Sequence, residues 1–326
     1  MRKNRFRYYT LRDGLSVNKE RVISPEVRIP KIDKSIFLFR SCSASLDFPG
    51  MEIAAREILG RLDMDVVTDP DQTCCSGYLM SCSVYGPELS LAINARNLSL
   101  AERRGLNVYT ICNNCHVHIN EMSHLLAEHP DKLEEANRLI GRFGYEYRGE
   151  THVYHVQELY YRLRDRIAAK VVRHLNGLRV AAHYGCDYLS QKYGIIADST
   201  MPTFHEEIIE LLGGTPVFYR ERLACCGYAV AQGVTHREET VLPHIAKKLG
   251  SAKKEGVELI TTVCPGCNLA LDREQLSLNN DGIAKLDIPI IDLSQLIALC
   301  LGTPIEKLGF QANAISLDKV LKKIVL

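Results

Sequence analysis

The sequence contains no run of eighteen apolar residues, so none of it reads as a membrane-spanning helix. Its start, MRKNRFRYYT, leads into no apolar stretch of the kind a secretory signal requires, and the chain is expected in the cytoplasm. No G-x-G-x-x-G fingerprint occurs either, which argues against a dinucleotide held by this chain itself. Charge is nearly balanced, with 40 Lys and Arg against 39 Asp and Glu, and nothing in that sum calls for a nucleic-acid partner. The balance hides a skew. Residues 1–34 hold ten basic residues against four acidic ones, a local +6 that leaves the rest at −5. This basic arm reads either as a solvated tail or as a docking segment for an acidic partner.

What the chain does have is length, apolar content and thiols. Its 326 residues, 46% of them hydrophobic, suffice for two domains of ordinary size. Twelve cysteines without an export signal should be mostly reduced, which favours metal binding or redox chemistry over a disulfide framework.

An internal repeat organises the sequence. The apolar run SIFLFRSC ends at Cys42 and precedes the helical MEIAAREILGRLDM; LRVAAHYGC ends at Cys186 and precedes FHEEIIELLGG. Each is followed by a short strand candidate, DVVTD or TPVFYR, and then by two adjacent cysteines. A helix with three-to-four apolar spacing comes next, PELSLAINARNLSLAERRG or EETVLPHIAKKLGSAKKEG, and leads into NVYTIC or ELITTVC, each closing on C-x-x-C. HVYHVQELYYRL and IPIIDLSQLIAL end the two halves alike. The pattern predicts an α/β fold of two tandem Rossmann-like subdomains with parallel sheets, related by a pseudo-two-fold repeat. The boundaries expected are an arm at 1–34, a first unit at 35–175 and a second at 176–326.

Ten of the cysteines fall into two matching sets. Cys42, Cys74, Cys75, Cys112 and Cys115 form C-x31-CC-x36-C-x2-C, and Cys186, Cys225, Cys226, Cys264 and Cys267 form C-x38-CC-x37-C-x2-C. Each group follows a predicted strand, and loops after the carboxyl ends of parallel strands gather on one rim, so five thiols should converge in each half. Zinc takes four ligands and would leave one thiolate idle, though zinc in one half stays open. A four-iron cluster also takes four cysteines ordinarily, but an opened cluster with a bridging sulfur uses five. A thioredoxin-type dithiol at C-x-x-C is a further alternative.

The double C-x31–39-CC-G-x35–37-C-x-x-C pattern, with HYGCDYL, VCPGCNLALD and the tail IPIIDLSQLIALCLG, resembles the CCG-domain family, most closely the catalytic HdrB-type subunits of heterodisulfide reductase. The resemblance implies that each half holds a noncubane [4Fe-4S] cluster through its five cysteines, and that the disulfide of coenzyme M and coenzyme B is split between the two clusters. It implies electrons from an HdrC-like subunit with two cubane clusters, fed by an HdrA-like flavoprotein subunit. Alternatives within it are an Hdr-like subunit of sulfur oxidation and an electron-relay subunit of a succinate, fumarate or glycolate oxidoreductase; outside it stands a zinc scaffold. One departure is that the first half reads Cys74-Cys75-Ser76-Gly77 where the second has Cys225-Cys226-Gly227, so Gly77 is expected to serve after a one-residue bulge.

Other residues carry smaller expectations. Arg40, Arg222 and His183 lie near ligands in sequence and are candidate substrate contacts, the arginines for an anionic group. His116 and His118 follow the first C-x-x-C and read as hydrogen-bonding neighbours rather than ligands. Cys300, in an apolar helix, reads as core, and Cys82 as an auxiliary thiol at most.

Overall fold

The computed structural model describes residues 29, 31–82, 84–190, 202–228 and 236–325. Residues 1–28 and 30, most of the basic arm, lie outside the described residues.

Two four-stranded parallel sheets form the framework, as the repeat predicts. In the first, β1 (Ser35–Phe39), β2 (Asp65–Val67), β3 (Val108–Thr110) and β4 (Val153–His155) run in the order β2-β1-β3-β4. In the second, β5 (Arg179–Ala182), β6 (Thr215–Pro216), β7 (Leu259–Thr262) and β8 (Ile290–Asp292) repeat it as β6-β5-β7-β8. The central registers match: Phe37 pairs with Val108 and Leu38 with Tyr109, while Val180 pairs with Leu259 and Ala181 with Ile260. The expected strand TPVFYR shortens to Thr215–Pro216, because Pro216 has no N–H for the ladder and is tolerated only at an edge.

Side-chain alternation explains how both sheet faces are covered. Along β1, Ile36 and Leu38 enter one buried apolar cluster and Phe37 and Phe39 the other. Val180 and Ala182 of β5 join the first cluster and Ala181 the second, so each apolar layer draws on both halves. The helix Leu293–Cys300 of the second half packs on the helix Pro49–Arg61 of the first. There the backbone of Gly50 meets the Leu308 carbonyl so closely that a Cβ would stand 2.0 Å from its oxygen. Tyr160 of the first half, on the helix Val156–Arg162, donates its Oη to Ser294 Oγ of the same second-half helix at 3.0 Å.

Helix starts carry the cysteines to one rim. Cys112 is the N-cap of the helix Asn113–Glu128, and Cys264 that of Pro265–Asn280, so each C-x-x-C straddles a helix N-terminus. Cys42 and Cys186 open the short helices Cys42–Asp47 and Cys186–Ser190. Unpaired N–H groups at such ends favour thiolate over thiol.

Candidate functional site

All ten cysteines of the two sets line one cavity of about 750 Å³. The halves meet there: Cys112 Sγ lies 3.8 Å from Cys264 Sγ. Within the second set, Cys186 Sγ is 3.4 Å from Cys225 Sγ. Depth within each set is graded alike. Cys75, Cys112 and Cys115 are buried while Cys42 and Cys74 are exposed; Cys226, Cys264 and Cys267 are buried while Cys186 and Cys225 are half-buried. All twelve cysteines are free, including the adjacent pairs, and Cys82 and Cys300 lie away from the cavity. Cys300 is fully buried in the apolar layer.

The adjacent pairs turn by the same device in both halves. Ser76 has φ 68° and Gly227 has φ 92°, and the backbone N–H of each donates to the sulfur two residues earlier, Cys74 or Cys225, at 3.4 Å. Ser76 itself therefore takes the left-handed position, and the bulge expected at Gly77 does not occur. Gly77 instead begins the helix Gly77–Ser81, where a Cβ would stand 2.5 Å from Asn114 Oδ1. A serine survives at positive φ because its hydroxyl is held: Ser76 Oγ bonds Ser90 Oγ at 2.7 Å and accepts from Asn94 Nδ2 at 3.2 Å. We expect Ser76→Gly to leave stability within about 1 kcal/mol, since relief of strain offsets the lost hydrogen bonds, whereas Ser76→Ala costs about 1–3 kcal/mol. Urea unfolding of the two variants checks this, and an alanine variant as stable as the parent would deny the hydroxyl its role.

The thiols titrate as two coupled groups of the same design. Cys74 is drawn down to about 2 by hydrogen bonds from the Cys42 and Cys75 thiols, against burial and with help from the Ser76 N–H. Cys225 falls likewise to about 2, through the Cys186 and Cys226 thiols and then the Gly227 N–H. The donors move oppositely: Cys42 and Cys186 rise because each thiol is bonded to that neighbour and is partly buried. The two groups also meet: Cys264 is drawn well down by the Cys112 thiol of the other half and then by Cys267, while Cys112 rises, so the first set favours one thiolate and the second two, and further ionisation needs a cation among them. Five soft donors from each half lining one cavity fit polynuclear iron–sulfur centres and exceed what tetrahedral zinc uses.

The remaining candidates separate. Arg222 is buried and paired with the Glu206 carboxylate, donating also to Pro202 O at 3.0 Å, and it does not line the cavity. Arg40 points to Glu52 at 2.9 Å and lies off the cavity as well. Both arginines are engaged in ion pairs, and neither lines the cavity. His183 does reach the second set, its ring within 4.8 Å of the Cys226 and Cys267 sulfurs. Burial holds it well below its ordinary range, with Lys248 adding to this. His118 bonds Ser90 Oγ at 3.0 Å and so joins the Ser76 network, and His116 is buried 4.0 Å from Glu158.

Sequence reasoning missed several residues that shape the cavity. Asp187 lines it, accepts from Asn114 Nδ2 at 3.3 Å, and is raised to about 6 by burial and then by Cys264. Asn113 reaches across to the Tyr184 carbonyl at 2.6 Å. Tyr78, Leu79 and Tyr228 supply apolar wall. The CNNC and GCD strings were the available signals, since polar residues beside ligands at a helix start tend to face the site.

No helix among the described residues is long and apolar enough to cross a membrane. A family profile described as "Cysteine-rich domain" (CCG) matches residues 36–120 and 180–272. The chain is 31% identical over 290 residues to the B subunit of the ferredoxin/F(420)H(2)-dependent CoB-CoM heterodisulfide reductase of Methanosarcina acetivorans, covering 88% of this chain and 96% of that one. It is 29% identical over 249 residues, 76% of this chain and 85% of the other, to the "8-methylmenaquinol:fumarate reductase membrane anchor subunit" of Wolinella succinogenes. A solved structure, a hypothetical protein from Helicobacter pylori, superposes with a TM-score of 0.65 at 14% identity, covering 87% of this chain and 52% of that chain. This last likeness concerns the fold alone, and the chain spans about half of that protein's length. With both halves matched by the profile and nearly the whole chain aligned to a curated relative, this chain belongs to the cysteine-rich CCG domain family, among the homologues of the heterodisulfide reductase HdrB-type subunits.

Proposed function

We propose that the chain is the catalytic subunit of a heterodisulfide reductase-type complex and converts a disulfide, of the coenzyme M–coenzyme B kind, into two thiols. The observation that carries this reading is the opening of both five-cysteine sets into one cavity. Cys42, Cys74, Cys75, Cys112 and Cys115 would hold one noncubane [4Fe-4S] cluster, and Cys186, Cys225, Cys226, Cys264 and Cys267 the other. When bound, each cluster would supply one electron and a soft iron site for one sulfur. The overall change consumes two electrons and two protons for each S–S bond broken, which matches one electron from each half.

The chain's own residues hold and orient. The helix starts at Cys112 and Cys264 keep the inner thiolates fixed, and the turns at Ser76 and Gly227 aim the outer ones. Tyr78, Leu79 and Tyr228 add apolar wall beside the thiols, so that charge developing on the inner sulfurs would be met largely by fixed donors. Electrons would come from an HdrC-like iron–sulfur subunit and an HdrA-like flavoprotein, with the arm at 1–34 available to an acidic partner surface. Units at 35–175 and 176–326 would each contribute one cluster, and a cytoplasmic setting would keep the thiols reduced.

The likeness to a fumarate reductase subunit supports a second reading, in which the chain relays electrons without cleaving a disulfide. Anaerobic iron and sulfide analysis of the full chain tests the first requirement of either. About eight irons per chain are expected, four for each set. Four irons and one zinc would remove the two-cluster version, and iron without disulfide cleavage by the assembled complex would favour the relay.

A further inference from the structure

The two five-cysteine sets have matching ligands but different surroundings, and one difference is a buried lysine. Lys248 lies on the helix Leu242–Lys254 with no side-chain exposure. Its ammonium donates to the carbonyls of Glu221 at 2.6 Å, Ala224 at 2.8 Å and Arg222 at 3.3 Å, the segment that leads into Cys225-Cys226. Three acceptors around one nitrogen use all three N–H bonds, which only the charged form possesses.

In the first half the same position is neutral. Gly105 and Gly256 end the corresponding helical segments, at φ 63° and 68°, and counting eight residues back from each reaches Asn97 and Lys248. The two side chains perform the same structural task. Asn97 Oδ1 accepts from the backbone N–H of Thr73 at 3.1 Å and its Nδ2 donates to Cys74 O at 3.2 Å, fastening the residue before the pair as Lys248 fastens Ala224. An uncharged amide therefore suffices to hold this loop.

Neighbouring carboxylates do not pair with the lysine. Arg222 is neutralised by Glu206, and Glu221 turns its carboxylate to Lys247 at 3.2 Å. Arg40 near the first set lies off the cavity with its side chain half exposed to solvent, and shares Glu52 with Arg56. Asp187, which follows Cys186 where the first half has Ser43, is an acidic group on the second site's own side, hydrogen-bonded by Asn114 and by the Cys186 thiol. Among the described residues, no carboxylate lies within ion-pair distance of Lys248. Burial pulls the lysine down to about 8, and the nearby sulfurs of Cys226, Cys267 and Cys225 oppose that fall.

We propose that Lys248 makes the second cysteine site the more easily reduced of the two, so that a single electron from an external donor resides there rather than on the first site. The proposal rests on the two-cluster reading given above. Reduction adds one negative charge to a centre, and a fixed cation in a low-dielectric surround favours that state. Asn97 offers its own site nothing comparable.

Redox titration of the anaerobic full-length protein, followed by electron paramagnetic resonance, tests this. Cys75→Ser leaves the second centre intact and Cys226→Ser the first, so the two variants report the potentials separately. We expect the second centre to be reduced with an equilibrium constant at least tenfold larger, 59 mV for one electron. Lys248→Met, of similar length and without charge, should remove most of that gap while the first centre stays where it was. Equal potentials in the two cysteine variants, or a second centre unmoved by Lys248→Met, overturn the proposal. The cysteine comparison decides even if the methionine variant fails to assemble. Iron near eight per chain with equal potentials sinks this proposal alone, whereas protein that takes up no iron sinks the two-cluster reading along with it.

Discussion

Replacing either Cys75 or Cys226 by serine is expected to abolish disulfide cleavage, with turnover down on the order of 10⁴-fold in each case. Both sulfurs are buried at the cavity floor, 3% and 5% exposed, where a hydroxyl replaces a soft thiolate by a hard, weakly acidic donor. The damage should be local. Each half builds its own sheet and helix starts, so the other site should still take up its metal. If the two sites must each receive one sulfur, they act as a unit, and the double variant should be scarcely worse than either single one. Turnover by the assembled complex, measured with iron content, checks this. Activity halved rather than lost would mean that the sites work independently, and activity surviving only in Cys75→Ser would reduce the first site to a relay.

The second large effect concerns the seam between the halves. Gly185 has φ 80°, and a Cβ added there would stand 2.3 Å from Asn113 Nδ2 and 3.4 Å from Cys267 Sγ. Gly185→Ala therefore forces an L-residue into left-handed backbone, about 1–2 kcal/mol. It also displaces a buried amide from the Tyr184 carbonyl, about 1–3 kcal/mol more. A total of about 2–5 kcal/mol should lower the midpoint of thermal unfolding by on the order of 10 °C. Metal uptake should fall mostly at the second set, because Cys267 lies against the new methyl group. Calorimetry beside metal analysis distinguishes the outcomes, and an unchanged midpoint would mean that Asn113 yields freely.

The sheets and the gathering of the thiols were legible in the sequence for a simple reason. Both depend on periodicity and spacing, which a repeat prints twice, so that β1 through β4 can be checked against β5 through β8 from the order of residues alone. Side-chain direction was not legible. Arg40 and Arg222 stand next to ligands in the chain, yet both point to carboxylates, because neighbours in sequence at a strand end or turn face different ways. Ser76 misled because left-handed backbone suggests glycine, and the partners that hold a serine there, Ser90 and Asn94, come from a helix fourteen and eighteen residues on.

Lys248 left a trace that could have been read. Its helix buries Leu242, Ile245, Leu249 and Ala252, and Lys248 falls on that same stripe, three residues after Ile245, while Lys247 beside it is exposed. A lysine in an apolar stripe is seldom idle. What the sequence could not supply was its acceptors, three carbonyls from a loop more than twenty residues earlier.

The apolar layers that run beneath both sheets fix how the cavity can admit anything. Helix Leu293–Cys300 on helix Pro49–Arg61, and Gly50 against Leu308, seal the halves together over surfaces that would cost about 25 cal/mol for each Å² of apolar area exposed. The molecule is thus built as a mould and not as a jaw. Under the proposed function, a disulfide would enter between halves whose spacing this packing holds fixed, and its two arms would be sorted by the shape of that gap.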